Sequence, residues 1–197
     1  MTFDPITLRG EHVCLEPLSR EHLDGLCEFG LDPELWRWTT TRLSTRNDMI
    51  DYLESALKSA QEGTARPFAT TSLESGQVIG CTRFGNIDLH HRHVEIGWTW
   101  VGVPWHRTAV NTEAKYLMLR HAFEALGCIR VELKTDSINE RSRRAILRIG
   151  AKEEGTLRNH MIVQDGRYRH TVYFSVIDAE WPEVKSNLEA KLSYKQA

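Results

Sequence analysis

The 197-residue sequence lacks a glycine-rich phosphate loop, a Cys-x-x-Cys pair, a bilayer-length apolar run and any large excess of one charge. Each absence removes a class of function. Walker-type nucleotide hydrolysis needs Gly-x-x-x-x-Gly-Lys-Ser/Thr to wrap a phosphate in backbone N–H groups, and no such stretch is present. The four cysteines, Cys14, Cys27, Cys81 and Cys128, are too scattered for a compact disulfide or zinc framework. They read as free thiols in a reducing compartment. No stretch approaches the roughly 20 apolar residues of a membrane helix. Residues 1–9 show no basic region followed by an apolar run, so a signal peptide is not expected and the cytoplasm is. A net charge of -2 argues against a nucleic-acid footprint over the whole surface. Repeats, low-complexity tracts and Pro/Gly/Ser-rich linkers are also missing, so residues 1–197 are expected to form a single domain. What remains is ordinary for a folded chain: 41% apolar and 26% charged residues.

Periodicity then orders the elements as strand, two helices, three strands, helix, strand, helix, two strands, helix. Residues 12–17 alternate as a strand. Ser19 can cap a helix carrying Leu23, Leu26, Cys27 and Phe29. Residues 32–41, with Pro33, Trp36 and Trp38, read as a loop or short helical turn. Thr45 caps an amphipathic helix bearing Met49, Leu53, Ala56, Leu57 and Ala60, which Gly63 stops. Residues 68–73, 78–84 and 94–101 read as strands. A helix over 109–126 is apolar on two sides and ends at Gly127. A strand over 128–134 leads to Ser137-Ile138-Asn139-Glu140, a capping-box pattern opening a helix with Ala145, Ile146 and Ile149 inward. Residues 156–163 and 169–176 form a hairpin around Asp165-Gly166. Asp178 begins a last helix with Trp181, Val184, Leu188 and Leu192 on one face. An antiparallel first half and an alternating second half predict an α/β (α+β mixed) fold, with helices on both faces of a mixed sheet.

The chemistry concentrates in residues 94–112. A strand ending Glu95-Ile96-Gly97-Trp98-Thr99-Trp100-Val101 runs through Gly102-Val103-Pro104 and His106-Arg107-Thr108-Ala109 into a helix. The first N–H groups of that helix lack internal partners and the dipole favours an anion there. Arg107 adds a fork of donors. A diphosphate suits this turn, and an ordinary strand-to-helix connection suits it as well.

Taken with Asn111-Thr112-Glu113-Ala114, with Asn139-Glu140-Arg141-Ser142 and with Gly150, this strand and turn resemble the GCN5-related N-acetyltransferases. The resemblance is closest to the branch that acetylates ribosomal-protein N-termini, and it covers about residues 8–181. It implies a central sheet of six to seven strands splayed at the cofactor site. It also implies an acetyl-CoA-dependent N-acetyltransferase in which an amine attacks the thioester directly. Where the family's turn usually has Gln/Arg, Gly and Gly/Ala, this chain has His106, Ala109 and Asn111.

Residue roles follow from the resemblance. Trp98, Thr99, Trp100 and Val101 would hold the pantetheine arm, and Arg107, Thr108, Ala109, Val110, Asn111 and Thr112 the diphosphate. Asn139 would touch the cofactor or cap its helix, or do both. Ser142 would stabilise the leaving thiolate, since Ile146 stands where many relatives place a tyrosine. Glu95 is the candidate base, acting through water, with Glu132 second. Arg144, before Arg143 and Arg148, would meet the ribose phosphate; a solvated basic face is the plainer reading. Trp36, Trp38 and Thr39 would shape the acceptor pocket or pack in the core, and His160 and His170 on the terminal hairpin are acceptor-site candidates. His90-His91-Arg92-His93 fits no common zinc pattern, so no metal is expected. Cys128 reads as a buried thiol, not an acyl carrier. The acceptor is a small-molecule or peptide amine; no nucleic acid or membrane partner is expected, and the terminal hairpin and last helix permit a homodimer. A non-catalytic acyl-CoA-binding sensor or scaffold module is the competing reading.

Overall fold

Short runs rich in β-branched and aromatic residues fold as strands. The computed structural model describes residues 4–193 and holds eight strands in one sheet. In chain order they are β1 (Leu8–Arg9), β2 (Val13–Pro17), β3 (Arg66–Ser72), β4 (Val78–Asp88), β5 (His93–Val101), β6 (Arg130–Asp136), β7 (Lys152–Ile162) and β8 (Tyr168–Ile177). The helices are α1 (Leu23–Gly30), α2 (Arg46–Gln61), α3 (Ala109–Arg120), α4 (Glu140–Arg148) and α5 (Trp181–Ser193). The spatial order is β1-β2-β3-β4-β5-β6-β8-β7. The β5–β6 pairing is parallel, whereas β4–β5 and β6–β8 on either side of it are antiparallel. The mixed class expected from the sequence is the one observed. The count exceeds six to seven because Leu8–Arg9 adds a two-residue edge against Leu15 and Cys14.

Adjacent residues of one strand serve different cores. Phe68 joins the larger cluster with Leu117, Met118 and Leu119 of α3, Ile146 and Ile149 at the end of α4, and Trp181, Val184 and Leu188 of α5. Ala69 joins a second cluster with Leu26 of α1 and Met49, Leu53 and Ala56 of α2. The sheet therefore separates α1 and α2 from α3 and α5. Lys191 Nζ donates to the Arg148 carbonyl at 2.7 Å and ties α5 to the end of α4.

The caps explain where helices start. Thr45 Oγ1 accepts from Asp48 N at 3.2 Å while Asp48 Oδ2 accepts from Thr45 N at 2.8 Å, the reciprocal pair expected for α2. For α4 the cap is Asn139, whose Oδ1 accepts from Ser142 N at 3.1 Å. Ser137 does not fill that role: its N–H donates to the His170 carbonyl at 2.8 Å, so the chain is still tied to β8 there. Helix α3 also ends differently from its periodicity. The Leu126 N–H reaches back five residues to the His121 carbonyl at 3.0 Å, a widened π turn, and Gly127 leaves it at φ +64°. Strand β6 starts at Arg130, two residues after the expected position.

Candidate active site

Strands β5 and β6 pair at only three positions, His93 with Arg130, Val94 with Val131 and Glu95 with Glu132. Beyond them β5 stays with β4 and β6 stays with β8, so the two strands part and leave a V in the sheet. Lys134 braces its apex. Its Nζ lies 2.8 Å from Glu95 Oε2 and 5.9 Å and 5.7 Å from the ring centres of Trp98 and Tyr173.

The β5 limb carries a bulge. Cys81 pairs with Trp100 and Arg83 with Gly97, so Trp98 and Thr99 together stand opposite Thr82. Trp98 takes φ +50°, a left-handed conformation that costs a non-glycine residue energy. The residue is 42% exposed, and its indole lies over Gly85, where any Cβ would overlap the ring. Thr99 Oγ1 bonds Thr82 Oγ1 at 2.7 Å and Lys115 Nζ at 2.5 Å. Trp100 and Val101 are buried, and the Val101 carbonyl bonds His106 Nε2 at 2.8 Å.

Each limb ends at a helix N-terminus. After β5 the chain turns through Arg107, at φ +64°, and Thr108 caps α3 by accepting from Val110 N at 3.3 Å. Val110 and Thr112 are buried, while Ala109 and Asn111 are half-buried at the same end. After β6 comes Asn139 and α4. Arg141 Nη1 contacts His106 Nδ1 at 3.2 Å, so the two helix starts are tied together across the mouth of the V. Burial lowers the His106 pKa, and the carbonyl and guanidinium on its two nitrogens select the neutral Nε2–H tautomer. Arg144 lies outside this arrangement, exposed and 3.6 Å from Glu140.

Glu95 is 3% exposed. Its Oε2 receives both Lys134 and the Asn86 amide at 2.7 Å, and its Oε1 lies beside Gly97. Glu132 is paired with Arg130 at 2.8 Å. Ser142 sits in the first turn of α4, half-buried; its N–H is spent on Asn139. Asp136, fully buried at the end of β6, is held by Arg167 at 2.7 Å.

Beside the bulge, on the side of α2, lies a polar cavity of about 320 Å³. Tyr52 and Ser55 of α2, Arg83, Trp98 and the loop at Thr41, Arg42 and Leu43 form its wall. The loop is the one singled out from the sequence, but the residues that face the cavity come slightly later in it. Trp36 is buried behind the wall, donates to the Gly30 carbonyl at 2.7 Å and packs on Tyr52 and Trp100. Thr39 Oγ1 braces the loop through the carbonyls of Trp36 and Thr41. Trp38 lies under Arg37. His160 packs against Tyr173, and His170 accepts from Asn159 N at 2.9 Å on the same hairpin. Gln164, at the hairpin tip, donates to the Thr40 carbonyl at 3.3 Å.

Periodicity gave no sign of Arg83, Tyr52, Lys115, Lys134 or Asp136. Arg83, the one charge in residues 78–87, is a readable signal, whereas Lys134 and Asp136 only continue the alternation of charges that Arg130 and Glu132 begin on β6. Among the described residues no group of three or more His, Cys, Asp or Glu side chains is arranged to hold a metal.

A family model for the acetyltransferase (GNAT) domain matches residues 12–152. The chain is 27% identical over 179 residues to the uncharacterized N-acetyltransferase p20 of Bacillus licheniformis, across 89% of this chain and 98% of that protein. The crystal structure of a GCN5-related N-acetyltransferase from Brucella melitensis matches with a TM-score of 0.90 and 33% identity, across 96% of this chain and 86% of that one. Mycobacterium smegmatis RimJ, solved in complex with CoA-disulfide, shares the fold at a TM-score of 0.79 and 23% identity, across 91% and 88%.

Proposed function

The chain belongs to the GNAT acetyltransferase family, and from that premise we propose that its V holds acetyl-CoA and the adjoining cavity holds the acceptor amine. The GNAT fold uses acetyl-CoA, and this enzyme is an N-acetyltransferase. The observation that carries the assignment is the parting of β5 and β6 after three pairs, with a helix N-terminus at the end of each limb.

The residues fit the cofactor. Along residues 98–101 the β5 edge turned away from β4 is free of β6, so its backbone groups can run beside an extended arm. At α3 only the Val110 N–H is taken by the Thr108 side chain. The remaining first-turn N–H groups, with Arg107 next to them, suit a diphosphate. Asn139 caps α4 through Oδ1, which leaves its amide nitrogen for the ligand. Bound acetyl-CoA supplies an acyl group already activated as a thioester. The protein aligns the amine with it, removes a proton from the amine and stabilises the sulfur that leaves. We assign the second task to Glu95, through water at Oε1, the oxygen that neither Lys134 nor Asn86 engages. Lys134 and Asn86 fix that carboxylate in place. Ser142 Oγ, at the α4 N-terminus, is assigned the third.

We also read the chain as one domain acting in the cytoplasm. Its single sheet draws on both halves of the chain and its four cysteines are free. Among the described residues no helix is long and apolar enough to cross a membrane.

The test is CoA binding by calorimetry, followed by thiol release from acetyl-CoA with an amine panel. Ser142→Ala is expected to lower kcat at least about tenfold while CoA binding persists. A protein that binds no CoA would overturn the assignment.

A further inference from the structure

Arg83 is a charge the fold does not neutralise. It lies on β4, one residue past Thr82, which faces the bulge, and is 5% exposed. Its guanidinium carbon sits 4.9 Å from the Trp98 ring centre and 5.3 Å from that of Tyr52. Both rings line the 320 Å³ cavity, and so does Arg83. Its Nε is buried without a hydrogen-bond partner, and no carboxylate of the described residues is in ion-pair contact with it. A guanidinium does not shed its proton, so burial cannot be relieved as it is for a lysine or a histidine. Two aromatic faces return only part of the lost hydration. The cavity is built for an anion to complete it.

The rest of the lining narrows the class. Asp48 and Asp51 stand on the α2 side and Arg42 on the loop. Asp48 is committed to the N–H groups of Ser44 and Thr45, at 2.8 Å each, and those bonds hold its pKa down. Asp51 is exposed. Two carboxylates nearby disfavour a dianion such as a phosphate monoester. A single carboxylate attached to an amine matches the mixed charge, and the planar fork of an arginine suits it. Trp98 belongs both to the cavity and to the edge of the V, so an anion at Arg83 places the amine beside the V.

We propose that Arg83 recognises a carboxylate on the acceptor, so that the amine acetylated here belongs to a free amino acid or to a peptide with an acidic N-terminal residue. This rests on the cavity being the acceptor site, as assigned above.

The experiment measures thiol release with matched pairs. Glutamate against glutamate α-amide isolates the α-carboxylate. The peptide amide Glu-Ala-Ala against Gln-Ala-Ala isolates the side-chain carboxylate. In one of the two pairs the carboxylate member is expected to be preferred about thirtyfold in kcat/KM, and Arg83→Met is expected to reduce that ratio to about one. CoA affinity, measured without acceptor, reports separately on the cofactor assignment and on folding of the variant. Equal use of both members of each pair would overturn the proposal, as would a preference that survives Arg83→Met. So would a CoA-bound protein that releases no thiol with any of the four and whose tryptophan fluorescence does not respond to glutamate or Glu-Ala-Ala amide.

Discussion

Helix α3 and strand β4 both bury charge near the bulge, and they handle it in opposite ways. On α3 the cost of burial is met within the protein, by backbone N–H donors for Glu113 and by hydroxyl partners and a lowered pKa for Lys115. Glu113 is 5% exposed and accepts from the N–H groups of Glu11, His12 and Val13 at 2.8, 2.7 and 2.8 Å. Lys115 is 6% exposed, donates to Thr82 and Thr99 at 3.3 and 2.5 Å, and is pushed by burial to a pKa of about 7. On β4 Arg83 has two aromatic faces and no anion. Charges that hold a fold together are satisfied within it, and a charge left open at a cavity wall is held for something that arrives later.

Glu113 offers the largest test of that contrast. Its carboxylate fastens α3 to the chain between β1 and β2, and Gly10 has no room for a Cβ because the carboxylate fills the space. Glu113→Leu removes the acceptor for three N–H groups at once. The expected loss is about 3 kcal/mol, read as a lower urea midpoint with an unchanged slope. A loss below about 1 kcal/mol would mean that water replaces the carboxylate and that α3 is not internally compensated.

Lys115 comes next, and its test is a pH dependence. The folded pKa of about 7 lies well below the roughly 10.4 of an unfolded lysine. Below pH 7 both states carry the proton, and the folded state bears the full cost of burying it. Between pH 7 and about 10 the unfolded state binds more protons, so stability rises with pH, by at most about 1.4 kcal/mol per unit. Lys115→Met removes this term. The variant is expected to exceed the wild type in urea midpoint at pH 6 and to lose that advantage by pH 9. A difference that stays constant from pH 6 to pH 9 would show that Lys115 keeps its proton.

The same contrast explains what could be read from the chain alone. The proposed cofactor half of the site is mostly backbone: a strand edge, a turn, and two helix starts marked by Thr108 and Asn139. Such features repeat in local sequence, and the class of the fold and the positions of most elements followed from periodicity and caps. Misplaced details had local causes. Of the two caps read for α4, Asn139 fills the role and Ser137 does not, because Ser137 still bonds to β8, and the π turn after Arg120 is a change of hydrogen-bond register that no apolar pattern encodes. The proposed acceptor half is made of side chains from distant segments. Tyr52, Arg83 and Trp98 meet only after α2 packs on the sheet, so no spacing announces them. Glu95 was visible as a carboxylate on β5, but its ties to Lys134 and Asn86 were not.

The smallest expected effect on stability sharpens the comparison most. If Arg83 were a structural group like Glu113, replacing it would cost stability. Arg83→Met forfeits two cation–π contacts, each about 1–2 kcal/mol in a desolvated site, and keeps much of the side-chain volume. It also removes a buried charge without a counter-ion, whose cost in a folded protein is of at least that size. The stability read from urea unfolding is therefore expected to stay within about 1 kcal/mol of the wild type, or to rise, even as the preference for carboxylate-bearing amines disappears. A loss above about 2 kcal/mol would place Arg83 among the charges that hold the fold together. A stable variant without that preference would mark it as a group kept at a cost in stability because the substrate needs it.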